Sequence, residues 1–322
     1  MVPESSTAAS RFSTNRVAWH TREMQLVALD DIQSVVSVTN ARQAVHDAFC
    51  ALAAGSAVAP PELAMKLAHG GELHIKGAYL GGEVLAFKAA SGQFPDGGNS
   101  GFTSVLDAAT GAPVAILDDH GWLTEMRTAA ASAVTAVALA RPESSRLAIL
   151  GGGYQAAFQV EAMRDAFELE DVRVWSRSEA TRQAFAQANG AKAAATVQAA
   201  VVNADIVICC TPSREPLLRH AMIAPGTHVV AMGADMVGKR ELAADLTEQC
   251  DMLVCDDKAV TAHVGELQHC PHQVGRAVNL GDVLTGSAPR RTASEQITVA
   301  DLCGLGIQDA AMAQLVMTGL QH

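Results

Sequence analysis

Three consecutive glycines stand where a turn between a strand and a helix would hold a phosphate. They follow the apolar run RLAIL and precede a helical segment from Tyr154 to Phe167, and with Ala156 they form the pattern G-x-G-x-x-A from Gly151 onward. In this pattern the first glycine permits a tight turn, the second (Gly153) lets the backbone approach a pyrophosphate, and the alanine lets helix and strand pack closely. Amides at the helix N-terminus would face the phosphates. The stretch predicts a dinucleotide site; a structural turn is the alternative, since a glycine pattern alone is weak.

The next strand, VRVWSRS, bears on which dinucleotide binds. An NAD site usually has an acidic residue at the end of this strand, whereas an arginine there accommodates a 2′-phosphate. Arg177 stands at that end, between two serines. This favours NADP(H) over NAD(H), unless Arg177 is a solvated surface residue and the protein does not discriminate. We expect the cofactor site to comprise Gly151, Gly153, Tyr154, Gln155, Ser176, Arg177, Ser178, Arg182, Thr211 and Gly233.

The chain changes its pattern near Trp122. Before it, short apolar runs separated by glycine and proline predict strands of an antiparallel or mixed sheet, beginning with a strand over Leu26–Leu29. A helix is expected over 41–54, and a long alanine-rich helix has Thr124 as its N-cap and is ended by Pro142. After this helix, strand-like and helix-like segments alternate, and runs such as DIVICC are apolar throughout, as in parallel strands covered on both faces. The second half therefore predicts βαβ units.

The composition excludes several classes of function. Of 322 residues, 49% are hydrophobic, 18% charged and 4% aromatic, as in a globular α/β protein. The net charge of -11 argues against nucleic acid or an anionic membrane as a partner, and no apolar run reaches the length of a membrane span. Seven cysteines without a C-x-x-C pair predict reduced thiols in a cytoplasmic protein. Residues 1–23 lack the apolar core of a secretory signal and are expected to be a flexible extension, with a transit peptide as the alternative.

Four motifs in order relate the chain to a known family: LTEMRTAAASAVTAVALARP, AILGGGYQAAFQ, PGTHVVAMGADMVGKREL and ITVADLCGLGIQDAAMA. Over nearly all of residues 24–320 the chain resembles the ornithine cyclodeaminase and mu-crystallin family, and GDVLTGSAPRRTASEQITVADL is most similar to the cyclodeaminase-like proteins of ectoine-utilisation clusters. The resemblance implies an α/β fold with a Rossmann dinucleotide-binding domain over residues 126–302. Residues 24–125 and 303–322 would form an α+β substrate and dimerisation domain. It also implies a homodimer with an active site between the two domains.

The resemblance assigns roles to three charged residues. Arg127 matches the family's arginine for the substrate carboxylate, a task that suits the fixed fork of a guanidinium; a surface arginine in the first turn of a helix is otherwise unfavourable. Lys88, in VLAFKAAS, matches a lysine at a strand end beside that carboxylate. Asp235, in MGADMVGK, matches the aspartate that contacts the substrate amine and acts in proton transfer, with an Asx cap of the following turn as the alternative.

Two positions depart from the family's pattern. Many members have an arginine after paired prolines, where this chain has Glu62. The ornithine enzymes have a glutamate in the strand before the lysine, where this chain has Lys76. One carboxylate contact would be lost and one positive charge gained near the substrate. This argues against ornithine and leaves open a substrate with a second acid group.

The resemblance, together with these residues, implies a dimeric NAD(P)H-dependent imine reductase or amino-acid dehydrogenase acting on a small amino or imino acid. Lys88, Arg127 and Lys76 would hold the α-carboxylate, and Asp235 would supply or relay a proton to nitrogen. One alternative is a cyclodeaminase, in which NAD⁺ takes a hydride and returns it after ring closure and ammonia loss. Another is a non-catalytic, NADPH-dependent binding protein. No metal site is expected, because the histidines and cysteine of ELQHCPHQ lack zinc spacing.

Overall fold

The computed structural model describes residues 24–95 and 100–321, so the extension expected at residues 1–23 lies outside the described part of the chain. The described residues form two sheets with helices packed on them. The strands are β1 (Gln25–Ala28), β2 (Leu63–Lys66), β3 (Glu72–Tyr79), β4 (Val84–Gly92), β5 (Ser100–Asp107), β6 (Pro113–Asp118), β7 (Arg146–Leu150), β8 (Asp171–Trp175), β9 (Lys192–Ala193), β10 (Ile206–Cys209), β11 (His228–Ala231), β12 (Met252–Cys255), β13 (Val278–Asn279) and β14 (Thr298–Asp301). The helices are α1 (Leu29–Val35), α2 (Val38–Ala53), α3 (Trp122–Leu139), α4 (Tyr154–Ala166), α5 (Glu179–Asn189), α6 (Val197–Val201), α7 (Ala244–Gln249), α8 (Lys258–Val264), α9 (Leu280–Thr285) and α10 (Gly306–Gly319).

The first sheet is mixed and has helices on one face. Its order is β1-β6-β5-β4-β3-β2, with β1 parallel to β6 and the other neighbours antiparallel. Helix α10 packs on β3 and β4 and against α2. Because alternate residues of a strand face opposite sides, Ala86 and Lys88 are buried while Phe87, between them, is 36% exposed. The mixed sheet predicted for this half is confirmed.

Helix α10 brings a charge beneath this sheet. Its sequence, GIQDAAMAQLVMTG, has one charged residue, Asp309, and most of the helix is buried. A Cβ on Gly306 would lie 2.3 Å from the carbonyl oxygen of Gly77, so a glycine is needed where the first turn touches β3. The close approach positions the first turns of α10 against the strands that carry Lys76 and Lys88.

The second sheet is parallel and has the order β13-β12-β14-β11-β10-β7-β8-β9. Strands β10 and β11 are buried at every position, as the continuous apolar run of β10 predicts. In β11 the buried His228 contacts Thr298 through Nδ1 (2.8 Å). From β7 the chain adds β8 and β9 on one side and then returns to place β10 on the other. This reversal opens a crevice at the carboxyl ends of the strands, where ligands of open α/β sheets bind. The predicted α/β class with a Rossmann unit is confirmed.

The ends of α3 differ from those predicted. The helix begins two residues before Thr124, because the Asp119 carboxylate accepts a hydrogen bond from the Leu123 amide (2.8 Å) and so satisfies the first turn earlier. It ends at Leu139, ahead of Pro142, because the residue before a proline is disfavoured in helical conformation. Helix α3 is otherwise the long alanine-rich helix that the sequence predicts.

Other boundaries are shifted by one to three residues. Strand β1 ends at Ala28 and Leu29 already begins α1, since the two aspartates that follow favour a helix N-terminus. Helix α2 begins at Val38 because Ser37 caps it, its hydroxyl accepting from the Asn40 amide (3.2 Å). Helix α4 ends one residue earlier than predicted.

Two observations concern the environment of the chain. All seven cysteines are free thiols, in agreement with the predicted absence of a disulfide framework. None of the helices within residues 24–95 and 100–321 combines the length and apolar composition that crossing a bilayer requires.

Candidate active site

A cavity of about 590 Å³ lies at the carboxyl ends of β7, β8 and β10. Gly151, which follows β7, has φ 126°, and a Cβ there would lie 2.7 Å from the carbonyl oxygen of Cys210. This position therefore needs glycine. A Cβ on Gly153 would project into open space, so the cavity reaches the bare backbone at the N-terminus of α4. A glycine turn and free amides at the start of a helix fit a dinucleotide pyrophosphate.

Six of the residues predicted for the cofactor line this cavity: Gly151, Gly153, Ser176, Arg177, Ser178 and Thr211. The other four do not. Tyr154 lines the second cavity described below, and the Gln155 side chain donates to a backbone carbonyl of α3 (3.3 Å). The Arg182 guanidinium turns back to the carbonyl at the end of β8 (3.3 Å), and the amide of Gly233 donates to Glu241 (2.8 Å). The side chains of Gln155 and Arg182 and the backbone amide of Gly233 are therefore engaged by partners within the protein.

A second cavity, of about 450 Å³, is lined by residues from both halves of the chain. Its walls come from β3 and β4, from the start of α3 and from the loop after β11. Gly153 lines the first cavity and Tyr154 the second, so the two adjoin at the N-terminus of α4. The residues predicted for substrate binding and catalysis all line it: Glu62, Lys76, Lys88, Arg127 and Asp235.

Two buried cations in this wall share one carboxylate. Lys88 lies in the middle of β4 rather than at a strand end, and Arg127 lies in the second turn of α3 rather than the first. Their side chains are 6% and 8% exposed. Oδ1 of Asp309 accepts from both, at 3.1 Å from Lys88 Nζ and 3.2 Å from Arg127 Nε. The sequence analysis did not single out Asp309.

The charges of this cluster determine what it can bind. Burial lowers the pKa of Lys88 to about 8, although Asp309 opposes the shift. Burial would raise the pKa of Asp309, but Lys88 and Arg127 outweigh it and hold that pKa below its ordinary value. Burial also raises the pKa of the nearby carboxyls of Asp119 and Glu125. At neutral pH two cations and one anion leave one positive charge, which suits one carboxylate.

The two departures from the family's pattern face each other. Oε2 of Glu62 lies 3.2 Å from Lys76 Nζ, and Lys76 also donates to the Gly304 carbonyl (3.0 Å). The other oxygen of Glu62 bonds to His74, whose second ring nitrogen is 3.7 Å from Glu72. The positive charge expected from Lys76 is thus cancelled by Glu62, and the carboxylate of Glu62 is already engaged.

Asp235 follows β11 at the carboxyl edge of the sheet, as predicted, and its side chain is 46% exposed. Lys239 pairs with it at 2.6 Å. Gln268 braces the intervening loop: its Oε1 accepts from the Gly238 amide (2.7 Å), and its Nε2 lies within hydrogen-bond distance of the Met236 carbonyl (3.3 Å). The segment ELQHCPHQ therefore supports the Asp235 loop.

Within the described ranges, no group of three histidine, cysteine or acidic side chains could hold a metal ion.

Sequence reasoning missed Asp309, Gln268 and Glu241. Glu241 accepts from both the amide and the hydroxyl of Thr211 (2.7 Å each), so it shapes the loop beside the first cavity. For Asp309 a signal existed, because it is the one charged residue of the mainly apolar segment GIQDAAMAQLVMTG. For Gln268 and Glu241 the sequence holds no such signal, since both act through loops that meet only in the folded chain.

The parallel sheet, the glycine turn at its strand reversal and the adjoining cationic cavity define a nicotinamide-dependent enzyme of the Rossmann type. Comparison with known proteins identifies the family. The model of the ornithine cyclodeaminase/mu-crystallin family matches residues 22–321, and the chain belongs to this family.

Three relatives illustrate the breadth of the family. The alanine dehydrogenase of Archaeoglobus fulgidus is 31% identical over 306 residues, which cover 91% of this chain and 94% of that protein. The structure of an archaeal alanine dehydrogenase dimer with bound NAD aligns with a TM-score of 0.86, 29% identity and coverage of 92% and 96%. That of the Δ1-pyrroline-2-carboxylate reductase of Thermococcus litoralis with NADH and L-proline aligns with a TM-score of 0.85, 26% identity and coverage of 92% and 98%. Relatives named iminosuccinate reductase, ketimine reductase mu-crystallin and ornithine cyclodeaminase also match.

Proposed function

We propose that this protein is an NAD(P)H-dependent imine reductase or amino-acid dehydrogenase acting on a small 2-imino or 2-amino acid. The observation that carries the proposal is the buried pair Lys88 and Arg127, which presents one unit of positive charge to a cavity adjoining the dinucleotide crevice. A carboxylate held there would place its α-carbon between the two cavities. Relatives that reduce imines or oxidise alanine, by name, support this assignment.

In this proposal each residue has a limited task. Arg127 and Lys88 bind the substrate carboxylate and orient the adjacent C=N bond. Asp235, held on its braced loop, contacts the nitrogen and relays the proton to it. The bound nicotinamide supplies the hydride in the reductive direction. The protein therefore contributes orientation and charge.

A cyclodeaminase for ornithine is the competing function, and the state of Glu62 argues against it. An ornithine-type substrate has a distal ammonium group that needs a carboxylate partner when buried. Glu62 is engaged by Lys76 and His74, and Glu72 pairs with Lys66 (3.3 Å). Binding a distal ammonium at these carboxylates would displace an existing ion pair.

Turnover assays separate the functions. The protein is incubated with NADPH or NADH and Δ1-pyrroline-2-carboxylate or pyruvate with ammonia, and separately with NAD⁺ and L-ornithine, while absorbance at 340 nm and free ammonia are followed. Imine-dependent loss of absorbance supports the proposal, and it should disappear in Asp235→Asn. Ammonia release from ornithine without net cofactor consumption would contradict it. Cofactor binding without turnover of any substrate would favour the binding-protein alternative.

We propose NADP(H) as the preferred cofactor. Strand β8 ends without an acidic side chain, and Arg177, which lines the crevice, is exposed at that end. A guanidinium suits a 2′-phosphate, whereas a carboxylate suits free ribose hydroxyls.

We also propose a homodimer formed through the first sheet. The sheet face opposite α10 exposes large apolar side chains, with Leu26 73%, Leu63 51%, Phe102 38% and Phe87 36% exposed. An apolar face of this kind marks an association site, and the archaeal relative is described as a dimer.

We propose residues 24–125 with 303–322 as the substrate and dimerisation domain and 126–302 as the cofactor domain, in a cytoplasmic protein. Helix α3 spans the proposed boundary and packs against both α2 and α4.

A further inference from the structure

Asp309 lies behind the two cations that line the substrate cavity. Its side chain is 2% exposed and does not line the cavity, whereas Lys88 and Arg127 do. Lys88 comes from β4, Arg127 from α3 and Asp309 from α10, so three elements converge on one carboxylate oxygen. The second oxygen, Oδ2, is buried and has no hydrogen-bond partner among the described residues. The hydrogen bonds and ion pairs of this carboxylate are thus made with the two cations.

The contact with Arg127 sets the orientation of the guanidinium. Because Nε donates to Asp309, the two terminal nitrogens are left for other acceptors. Nη1 of Arg127 lies 3.5 Å from Gln308 Oε1. A Cβ on Gly304 would lie only 2.4 Å from the same Nη1 atom. The guanidinium is therefore confined on one side by Asp309 and on another by the Gly304 backbone.

The contact of Asp309 with Lys88 and Arg127 also determines the net charge of the cluster. Two buried cations without a counter-ion repel each other and are costly to desolvate. With Asp309 ionised, the cluster keeps a single positive charge, which one substrate carboxylate can neutralise. A second acid group on the substrate would find Lys76 already paired with Glu62.

Resting on the proposed function, we infer that Asp309 is a positioning residue that holds Lys88 and Arg127 together and keeps Lys88 charged, so that the site takes substrates with a single carboxylate. Asp309 acts through these cations and does not touch the substrate.

The inference predicts a pH dependence, and every charged group that faces Lys88 bears on it. These groups are Asp309 from α10, Arg127 and Glu125 from α3, Lys76 from β3 and Asp119 from the loop before α3. Burial, Arg127 and Lys76 lower the pKa of Lys88, and Asp309 opposes them, with a net value of about 8. Carboxylate binding should therefore weaken as pH rises through about 8. Removing the charge of Asp309 should lower the pKa of Lys88 further and move this weakening to lower pH.

The test uses pyrrole-2-carboxylate, a planar monocarboxylate with no group that titrates between about pH 6 and 10. Its affinity for the full-length protein with saturating NADP⁺ or NAD⁺ is measured by calorimetry across this range. For Asp309→Asn we expect the fall in affinity to begin about one pH unit lower, and affinity at pH 8 to be about fivefold weaker, because the charged fraction of Lys88 at that pH falls from about one half to about one eleventh. Asp309→Glu, which keeps the charge, should retain the pH dependence of the native protein even if affinity falls. Asp165→Asn, which also removes a partner of an arginine (Arg42, 3.0 Å) but lies far from the cavity, should change neither.

The outcomes are distinct. An Asp309→Asn profile that superimposes on the native profile would overturn the inference, as would a shifted profile for Asp309→Glu. If Asp309→Asn does not bind NADP⁺ or fold, Asp309→Ser, which also removes the charge, is measured in its place with the same expected shift. Failure of the native protein to bind the probe at any pH would overturn the inference as well. Because no turnover is measured, a protein that follows the expected profiles but reduces no imine would contradict only the proposed function.

Discussion

At the scale of single residues, Glu62 and Lys76 explain each other. Taken separately, Glu62 is an acid and Lys76 a base at two positions where the resemblance to the family implies an arginine and, in ornithine enzymes, a glutamate. Glu62 and Lys76 form one ion pair at 3.2 Å, in which the acid and the base stand at exchanged positions relative to the pattern implied by the resemblance. The two charges cancel, so the cavity wall gains no net charge from them. A second acid group on the substrate, which Lys76 alone would suggest, is therefore not favoured. The net positive charge of this wall comes from Lys88 and Arg127, whose two charges are only partly neutralised by Asp309.

Gly304 provides a residue-scale prediction with a matched control. Gly304→Ala places a Cβ 2.4 Å from Arg127 Nη1 at φ 78°, whereas Gly286→Ala has φ 79° and nothing within 4 Å. Both substitutions cost about 1–2 kcal/mol of backbone strain. We expect only Gly304→Ala to weaken carboxylate binding, by about tenfold or more, because only it displaces the guanidinium. Thermal melting and calorimetry measure the two effects; equal binding by both variants would show that Arg127 does not need its present position.

At the scale of elements, loops are held by buried carboxylates rather than by regular structure. Glu241 bonds the loop after β10, Glu266 accepts from the amides of Glu241 and Leu242, and Asp301 at the end of β14 accepts from the Leu267 amide (2.9 Å). Of these acids, Glu241 adjoins the first cavity through Thr211, and Glu266 in turn holds the backbone of Glu241. Their burial has consequences for stability that the solvent-exposed acids of the chain do not share.

The fold should lose stability as pH rises, through these buried acids. Burial raises the pKa of Glu241 to about 7, of Asp301 to about 8 and of Glu266 to about 9. The unfolded chain releases these protons near pH 4 while the folded chain keeps them, so the free energy of unfolding falls from about pH 4 up to these values. Asp301→Asn can still accept from Leu267 and should flatten this decline. Denaturant unfolding between about pH 3 and 9 measures this decline and also covers the acid range in which Asp205 titrates.

Asp205 is the control with the opposite sign. Burial opposes ionisation, but Arg146 and two backbone amides outweigh it and lower the pKa of Asp205. Its contribution is present above the ordinary pKa and is lost as pH falls through the lowered value. Asp205→Asn should therefore lower the free energy of unfolding at neutral pH. It should also reduce the loss of stability at acid pH, and it should leave the decline at higher pH unchanged. If the free energy of unfolding of Asp301→Asn falls with rising pH as steeply as that of the native protein, the role given to Asp301 is refuted.

The end of β8 supplies a second prediction at this scale. Arg177→Gln removes the cation proposed to meet the 2′-phosphate and should raise the Kd for NADPH about tenfold, a change of about 1.4 kcal/mol, with little effect on NADH. Lys192→Gln removes one positive charge from the same sheet, where Lys192 pairs with Asp171 at 2.8 Å, and should alter neither Kd. Fluorescence titration of the reduced cofactors measures both. Equal affinity of the native protein for NADPH and NADH would contradict the proposed preference.

At the scale of the whole molecule, the cavity proposed to bind the substrate exists because residues from both sheets and their connections line it. Strands β3 and β4 contribute Lys76 and Lys88, α3 contributes Arg127, and the loop after β11 contributes Asp235. Helix α10, the last element of the chain, returns to the first sheet and brings Asp309 beneath it. Substrate binding is therefore expected to be sensitive to any change in how the two sheets are joined.

The uncovered face of the first sheet yields the prediction for assembly. Phe87→Asp places a charge in the middle of the proposed interface, where desolvating it is costly, and should convert a dimer of the 33.5 kDa chain into monomers. Val137→Asp changes an apolar residue that is 55% exposed on α3, away from this face, and should leave the dimer intact. Sedimentation velocity distinguishes the species. A native protein that sediments as a monomer would refute the proposed interface.

The sequence by itself determined the parts that depend on local pattern. The glycine turn, the buried parallel strands and the mixed sheet follow from motifs and periodicity, because turn geometry and strand burial are encoded by neighbouring residues. The expectation that Lys88, Arg127 and Asp235 share a site came from the resemblance to the family, and all three line the second cavity. Only the tertiary structure decided the charge of the site. Asp309 is 182 residues from Arg127 in sequence, and Glu62 is paired across the sheet with Lys76. Charges cancel over a few ångströms of space whatever the distance along the chain, so the net charge of the site could be read only from the fold.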